Sequence, residues 1–539
     1  MTILSPEGLA RGDSLPACPP GAKVLLLYPR PWPGKTMSGR LPYALLILRA
    51  ALEAIGCEGV IIDERVVPDT RRAIEAHAAT GGIVCCGISA FTGVQVGHGL
   101  DMARIVRDVL PGVPIVWGGW HPSCEPGSTL RHELVDFVVR GQGEETFPEL
   151  VCALALSDRD ALRGMPGLSH KLDGAPAHNP PRPLTGRISD LRLDLRAVDV
   201  PRYIFSKPFA DRSEKSIGII TSLGCPHNCA FCAVAGVYNR RVAFRSMDHI
   251  MEEIDLLVGE HGVDSLTIDD DNFFSSRKRV LDFCQRLLER GHRVSWDAGV
   301  SARLALRHFS DEDFQLIKRS GCAQLYIGAE SGSDRVLEQI NKKASVAETY
   351  EFVARLGRLG IKASISTMVG LPNAPADEAE RTLDMILRCR ELNDQFDYRL
   401  FFYTPYPSTP LYDQALASGW RAPDTLEGWS GHTLRRFKAP WLPRGLRRKV
   451  KYFSFYYYPY AFGLSPKPLG AAAGARVLEA VIRLLFENRL LQGLAAWRVR
   501  RRCFRFPLDA AWAVLGARAR SLYGWLVHGN VDPFREINT

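Results

Sequence analysis

The 539-residue sequence has no uninterrupted apolar run of about 18 residues, so no bilayer-spanning helix is expected. Its opening, MTILSPEGLARGDS, lacks a basic stretch followed by an apolar one, so no secretory leader is expected. It also lacks the cysteine density of a small disulfide scaffold. The 13 cysteines are odd in number and scattered, which points to free thiols in a reducing, cytoplasmic setting. Cys85 and Cys86, inside the apolar run GGIVCCGIS, read as packing residues. No repeat of solenoid length occurs. A marked excess of charge of one sign is missing from most of the chain. Pro440 to Thr539 carries 17 Lys and Arg against 5 Asp and Glu, so the net charge of +9 belongs to the tail.

At ~150 residues per domain the length suggests about three or four units. From 22 to 156, apolar runs such as AKVLLLYPR alternate with helical periodicity, which predicts a doubly wound parallel sheet. Its ligands would sit at the strand carboxyl ends. Residues 157–213, with DGAPAHNPPRPLTGR, read as a proline-rich linker. From 214 to 419 six strand-helix units follow, too few for a closed eight-fold barrel but suited to a partial one. Residues 420–539 read as mainly helical and basic. The predicted class is α/β with a helical C-terminal region.

TSLGCPHNCAFCAV places Cys225, Cys229 and Cys232 in eight residues, just after an apolar strand. A structural zinc wants four ligands, and no second cysteine or histidine pair lies nearby. His227 sits on the same tight loop, and Cys229 with Cys232 alone would suit a redox dithiol. A four-iron cluster normally takes four thiolates, and with three given one iron stays open. The missing fourth thiol is therefore informative.

C-x-x-x-C-x-x-C after a first strand, with aromatic Phe231 before the last cysteine, resembles the radical S-adenosylmethionine (SAM) family. The resemblance implies a partial (β/α)6 barrel and a [4Fe-4S] cluster on Cys225, Cys229 and Cys232. Its open iron would chelate SAM, and one electron would cleave SAM to methionine and a 5′-deoxyadenosyl radical. TIDDDNFF resembles the family's second-strand motif, which brings Asp270, Asp271 and Asn272 to the SAM pocket. YIGAESGSDRVL resembles the fourth-strand motif, with Glu330 and Ser331 as SAM contacts. SISTMVGLP, with Ser366, resembles the stretch passing the adenine, and FFYTPYPSTPLYD the closing sixth strand. Without the resemblance, Asp269 to Asp271 read equally as helix caps, whereas Glu330 ends an apolar strand and suits a cap less well.

The N-terminal unit resembles the cobalamin-binding domain that precedes this barrel in one radical SAM class. GISAFTG, VWGGWHPS and VVRGQGEETFPEL stand where that class has its ligand loops. The resemblance implies cobalamin contacts at Ser89, Thr92, Gly93, Gly118, Gly119, His121, Gly143 and Glu144. Glycines there let the backbone approach a flat macrocycle. No D-x-H-x-x-G occurs, so no histidine from that motif is expected below the cobalt.

Together these imply a cobalamin-dependent radical SAM methyltransferase that methylates an unactivated carbon of a small molecule or lipid, with electrons from a flavodoxin or ferredoxin. A ring-forming or ring-rearranging enzyme is the alternative, and a cofactor-binding sensor without turnover a second. GLRRKVKYFSFYYYPYAF and WRVRRRCFRF are expected to form a helical cover on the barrel, with peripheral membrane contact as the competing reading. No nucleic-acid module is recognised, and no nucleic-acid partner is expected.

Overall fold

A computed structural model describes residues 17–31, 39–209, 212–434, 437–443, 445–462, 485, 489–501, 508–513 and 515. The apolar run KVLLLY forms β1 (Lys23–Tyr28). Val24 and Leu26 face one core, shared with helices Tyr43–Glu53 and Thr146–Ala155. Leu25 and Leu27 face the opposite core, shared with helix Val94–Val109. Burial on both faces explains the unbroken apolar run. β2 (Glu58–Asp63), β3 (Ile83–Ser89), β4 (Ile115–Gly118) and β5 (Phe137–Val139) complete a parallel set in the order β2-β1-β3-β4-β5. The order reverses between β1 and β3, which opens a crevice at their carboxyl ends. Cys85 and Cys86 are fully buried on β3, as packing residues should be.

β6 (Leu168–Leu172) and β7 (Ala175–His178) extend this sheet antiparallel. Both lie in the stretch read as a linker. Pro176 is accommodated because β7 is the edge strand, where a missing N–H need not break a ladder.

The second sheet holds β8 (Phe205–Phe209), β9 (Arg212–Ile219), β12 (Ser265–Ile268), β13 (Ser295–Val300), β14 (Cys322–Glu330), β15 (Lys362–Val369) and β16 (Phe396–Phe402). Six of them run parallel in the order β9-β12-β13-β14-β15-β16, and β8 caps one edge antiparallel. This is the open six-stranded barrel that the alternation predicts. SIGIITSLG divides into β9 and a separate β10 (Ser222–Gly224), which pairs antiparallel with β11 (Val242–Phe244). That short hairpin brackets the three-cysteine loop. Trp296, Phe283, Phe314 and Phe352 are fully buried between strands and helices. Capping boxes at Ser310 with Asp313 and Ser345 with Glu348 start two of the outer helices.

The stretch 445–462 folds onto the barrel edge. Phe453, Tyr456, Tyr457 and Tyr458 are buried, and the Tyr458 ring lies 4.7 Å from Tyr398 on β16. Of WRVRRRCFRF, residues 502–506 lie outside the described residues, as do 463–484 and 516–539 of the C-terminal region. No helix among the described residues is long and apolar enough to cross a membrane.

Two contacts tie the segment before helix Tyr43–Glu53 to the barrel. The Gly218 N–H of β9 donates to the Gly39 carbonyl at 2.7 Å, while Arg40 pairs with Asp269 at 2.8 Å. Helix Leu426–Ser430 also straps across, with Glu427 3.0 Å from His132.

Candidate active site

The cysteine loop is held by hydrogen bonds from several elements. Cys232 N–H donates to Cys229 O at 3.1 Å, closing a tight turn. Ala230 N–H donates to Ile340 O at 2.8 Å, and Asn341 Nδ2 to Asn228 O at 2.7 Å. The run after β12 braces the loop from behind. Asp270 accepts from Thr221 N–H at 2.5 Å and from Ser222 Oγ at 2.6 Å. Asp271 accepts from Gly224 N–H at 2.8 Å, and Asn272 Nδ2 lies 3.8 Å from Cys225 Sγ. Asp270 is therefore occupied in orienting the loop.

Cys229 is buried, and Cys225 and Cys232 are half-buried. Burial pushes the Cys232 thiol up to about 12, and neighbouring Cys229 and Cys225 add to the rise. Burial raises Cys225 and Cys229 as well. Thiolates in this setting call for a bound cation. No three described His, Cys, Asp or Glu side chains converge on a single metal ion. A cluster makes a different demand, because each thiolate ligates its own iron.

Glu330 ends β14 with φ +63, a left-handed conformation rare for a residue with a side chain. Its Oε1 accepts from Lys342 Nζ at 2.9 Å. Burial opposes the Lys342 charge, yet the Glu330 carboxylate holds the ammonium above its usual value. A Cβ at Gly328 would lie 2.7 Å from Glu330 Oε1, so that glycine makes room for the pair. Phe231, Cys232, Glu330, Ser366 and Met368 line a cavity of about 410 Å³. Ser331 stays behind it, fully buried, and accepts from Ser333 N–H.

A second cavity, of about 430 Å³, opens at the carboxyl ends of β1, β3 and β4 and reaches Ser222 and Asp271 of the barrel. Both volumes fall in the range of small-molecule sites. Ser89, Gly118, Gly119, Gly143 and Glu144 line it. Gly119 has φ +88, and a Cβ there would come within 2.9 Å of Ser89 Oγ. Glu144 is buried, its Oε1 has no hydrogen-bond partner, and burial raises its carboxyl to about 7.

Three of the expected cobalamin contacts lie elsewhere. Thr92 lines the cavity beside the cysteines. Gly93 starts helix Val94–Val109, where a Cβ would meet the His432 carbonyl at 3.0 Å. His121 is fully buried against Trp429, with ring centroids 5.4 Å apart and its Nδ1 3.2 Å from Thr92 Oγ1. Burial, then the charge of His432, lowers its pKa to about 3, so the ring is neutral. It is placed to hold the strap helix.

Four residues escape the sequence reading. Gln142 lines the 430 Å³ cavity with both amide atoms unpaired. It lies inside RGQGEE, where the glycines draw attention first. Lys342 has no motif, and only the need to neutralise a buried Glu330 could have pointed to it. Phe91 and Trp120 stand in the quoted loops and line both cavities.

The Radical SAM superfamily model matches residues 219–386, and the B12 binding domain model matches residues 41–151. An uncharacterized methyltransferase of Pyrococcus horikoshii is 32% identical over 384 residues, covering 69% of this chain and 78% of that protein. The anaerobic magnesium-protoporphyrin IX monomethyl ester cyclase of Rubrivivax gelatinosus is 25% identical over 318 residues, covering 58% of this chain and 55% of that protein. The cobalamin-dependent S-adenosylmethionine radical enzyme OxsB, solved with aqua-cobalamin and S-adenosylmethionine bound, shares the fold. Its TM-score is 0.66 at 15% identity, over 96% of this chain and 80% of that one. The chain belongs to the radical SAM enzymes that carry a B12-binding domain.

The residues present fit the cofactors of that class. Three thiols on one loop, with no fourth in the same motif, suit a cluster that keeps one iron open. The positive-φ glycine at 119 and the unpaired polar atoms of Gln142 and Glu144 suit a corrin with its peripheral amides.

Proposed function

We propose that this chain is a radical SAM C-methyltransferase that methylates an unactivated carbon of a small molecule or lipid. The observation that carries the reading is the common wall of the two cavities. Phe91 and Trp120 border both the cavity holding Cys232 and Glu330 and the one lined by Gly118 and Gly119. A substrate at that wall is open to both. When bound, the cluster and SAM would supply hydrogen abstraction from an unactivated carbon, and methylcobalamin the methyl group.

The chain's own residues supply binding, orientation and shielding. Cys225, Cys229 and Cys232 hold the iron, and the Asp270 to Asn272 run fixes the loop. Glu330, Phe231 and Ser366 contact SAM, with Lys342 holding Glu330 in place. Ser89, Gly118, Gly119, Gly143 and Glu144 contact cobalamin, joined by Gln142. A flavodoxin or ferredoxin supplies the electron.

Match to a cyclase keeps ring formation as the second reading. The test is anaerobic reconstitution with iron, sulfide and cobalamin, then assay with deuteromethyl-labelled SAM. About four iron and one cobalt per chain are expected, with substrate-dependent 5′-deoxyadenosine and a product carrying the labelled methyl. A product without added methyl, in step with 5′-deoxyadenosine, would replace methyl transfer with ring formation. No 5′-deoxyadenosine under any condition would end the catalytic reading.

A further inference from the structure

The wall between the cavities also restricts what can be bound there. Phe91 follows β3 and Trp120 follows β4, so both stand on the ligand edge of the first sheet. Their rings stack, with centroids 5.8 Å apart and planes 22° apart. Tyr238, from the short helix Val234–Tyr238 after the cysteine loop, meets Trp120 edge-on at 6.0 Å. Three rings from two domains thus form one continuous surface. Phe91 is 45% exposed, so its ring is open to contact from the cavity.

The smaller cavity is also lined by Phe401, Phe402, Tyr403, Tyr406, Pro407 and Leu434. Among its described lining residues Glu330 is the one Asp, Glu, Lys or Arg side chain, and Lys342 neutralises it. In the other cavity the one Lys or Arg is Arg40, engaged by Asp269 at 2.8 Å. A phosphate or carboxylate brought to the wall would lose its water and find no free cation. Burying an anion that way is strongly unfavourable. A flat ring or a hydrocarbon chain would gain contact with all three rings.

Resting on the reading under "Proposed function", we propose that the reacting part of the substrate is an uncharged aromatic or hydrocarbon framework packed against Phe91 and Trp120. These two rings are specificity determinants. Any charged group of the substrate lies outside the wall.

The test uses holoenzyme loaded with cluster, cobalamin and SAM, with iron and cobalt measured on each sample. Binding of uncharged N-phenyl-1-naphthylamine is followed by fluorescence and compared with 1-naphthyl phosphate. The uncharged compound is expected to bind about tenfold or more tightly than the phosphate. Phe91→Ala and Trp120→Ala are each expected to weaken it about tenfold, and Trp120→Phe to restore most of the affinity. Displacement by 2-naphthol would assign a flat framework, and displacement by farnesol an aliphatic one; either supports the class. Equal binding of the phosphate, or unchanged affinity in both alanine variants, overturns it. Those outcomes leave the cofactor reading standing if iron and cobalt are present. Absent iron and cobalt would instead remove the catalytic reading, whatever the compounds do.

Discussion

The two sheets build their ligand edges by opposite means. At the first, the cavity is bordered where side chains are absent: Gly118, Gly119 and Gly143 bring bare backbone to it, and Gly119 adopts φ +88. At the second, the border is made of side chains that are charged or soft: three thiols, and a carboxylate with its buried ammonium partner. A broad neutral macrocycle needs close approach over a wide area, which glycine gives. A cluster and a zwitterionic cosubstrate need point contacts of defined charge. The first edge should therefore be sensitive to added atoms, and the second to removed ones.

The largest expected effect is removal of a thiol. Cys229→Ala should take iron from about four per chain to near zero and cut 5′-deoxyadenosine formation more than about a thousandfold, with cobalt content unchanged. Iron retained at full stoichiometry would contradict the ligand assignment. Next is Lys342→Met, which leaves the Glu330 carboxylate buried without its partner. A loss of about 3–5 kcal/mol in denaturant unfolding is expected, with much of it recovered in the double variant Lys342→Met, Glu330→Gln.

Glu144 tests the first edge through pH. Burial raises its carboxyl from 4.5 to about 7, so the folded chain holds a proton that the unfolded chain has released. Stability of cobalamin-free protein should fall as pH rises from 4.5 through about 7, by at most about 3 kcal/mol at pH 8. Glu144→Gln should flatten that part of the melting-temperature profile. The smallest effect is an added methyl. Gly119→Ala should cost about 1–3 kcal/mol of local strain and lower cobalamin affinity about tenfold, leaving iron content intact. Iron loss there would show that the two edges are not independent.

Both sheets were readable from apolar runs alternating with helical periodicity, because each strand is buried on both faces or lines the barrel. β6 and β7 were not, since Pro176 looks like a breaker until its edge position is known. The division between β9 and β10 also escaped, because Ile219 to Ser222 stays apolar or small through the bend. At the site, the thiols proposed as ligands announce themselves by spacing, since a shared cluster would need neighbours on one loop. Lys342 does not: it meets Glu330 through the fold, twelve positions away and with no pattern to mark it. The placement of His121 was not legible for a related reason. It sits in a ligand loop, but its ring turns into the protein toward Trp429, and a sequence carries no direction for a single side chain.

The backbone bond from Gly218 to Gly39, with the Arg40 ion pair beside it, makes the junction a seam between main chains. A clamshell swing of one domain away from the other would tear that seam and uncover Asp269.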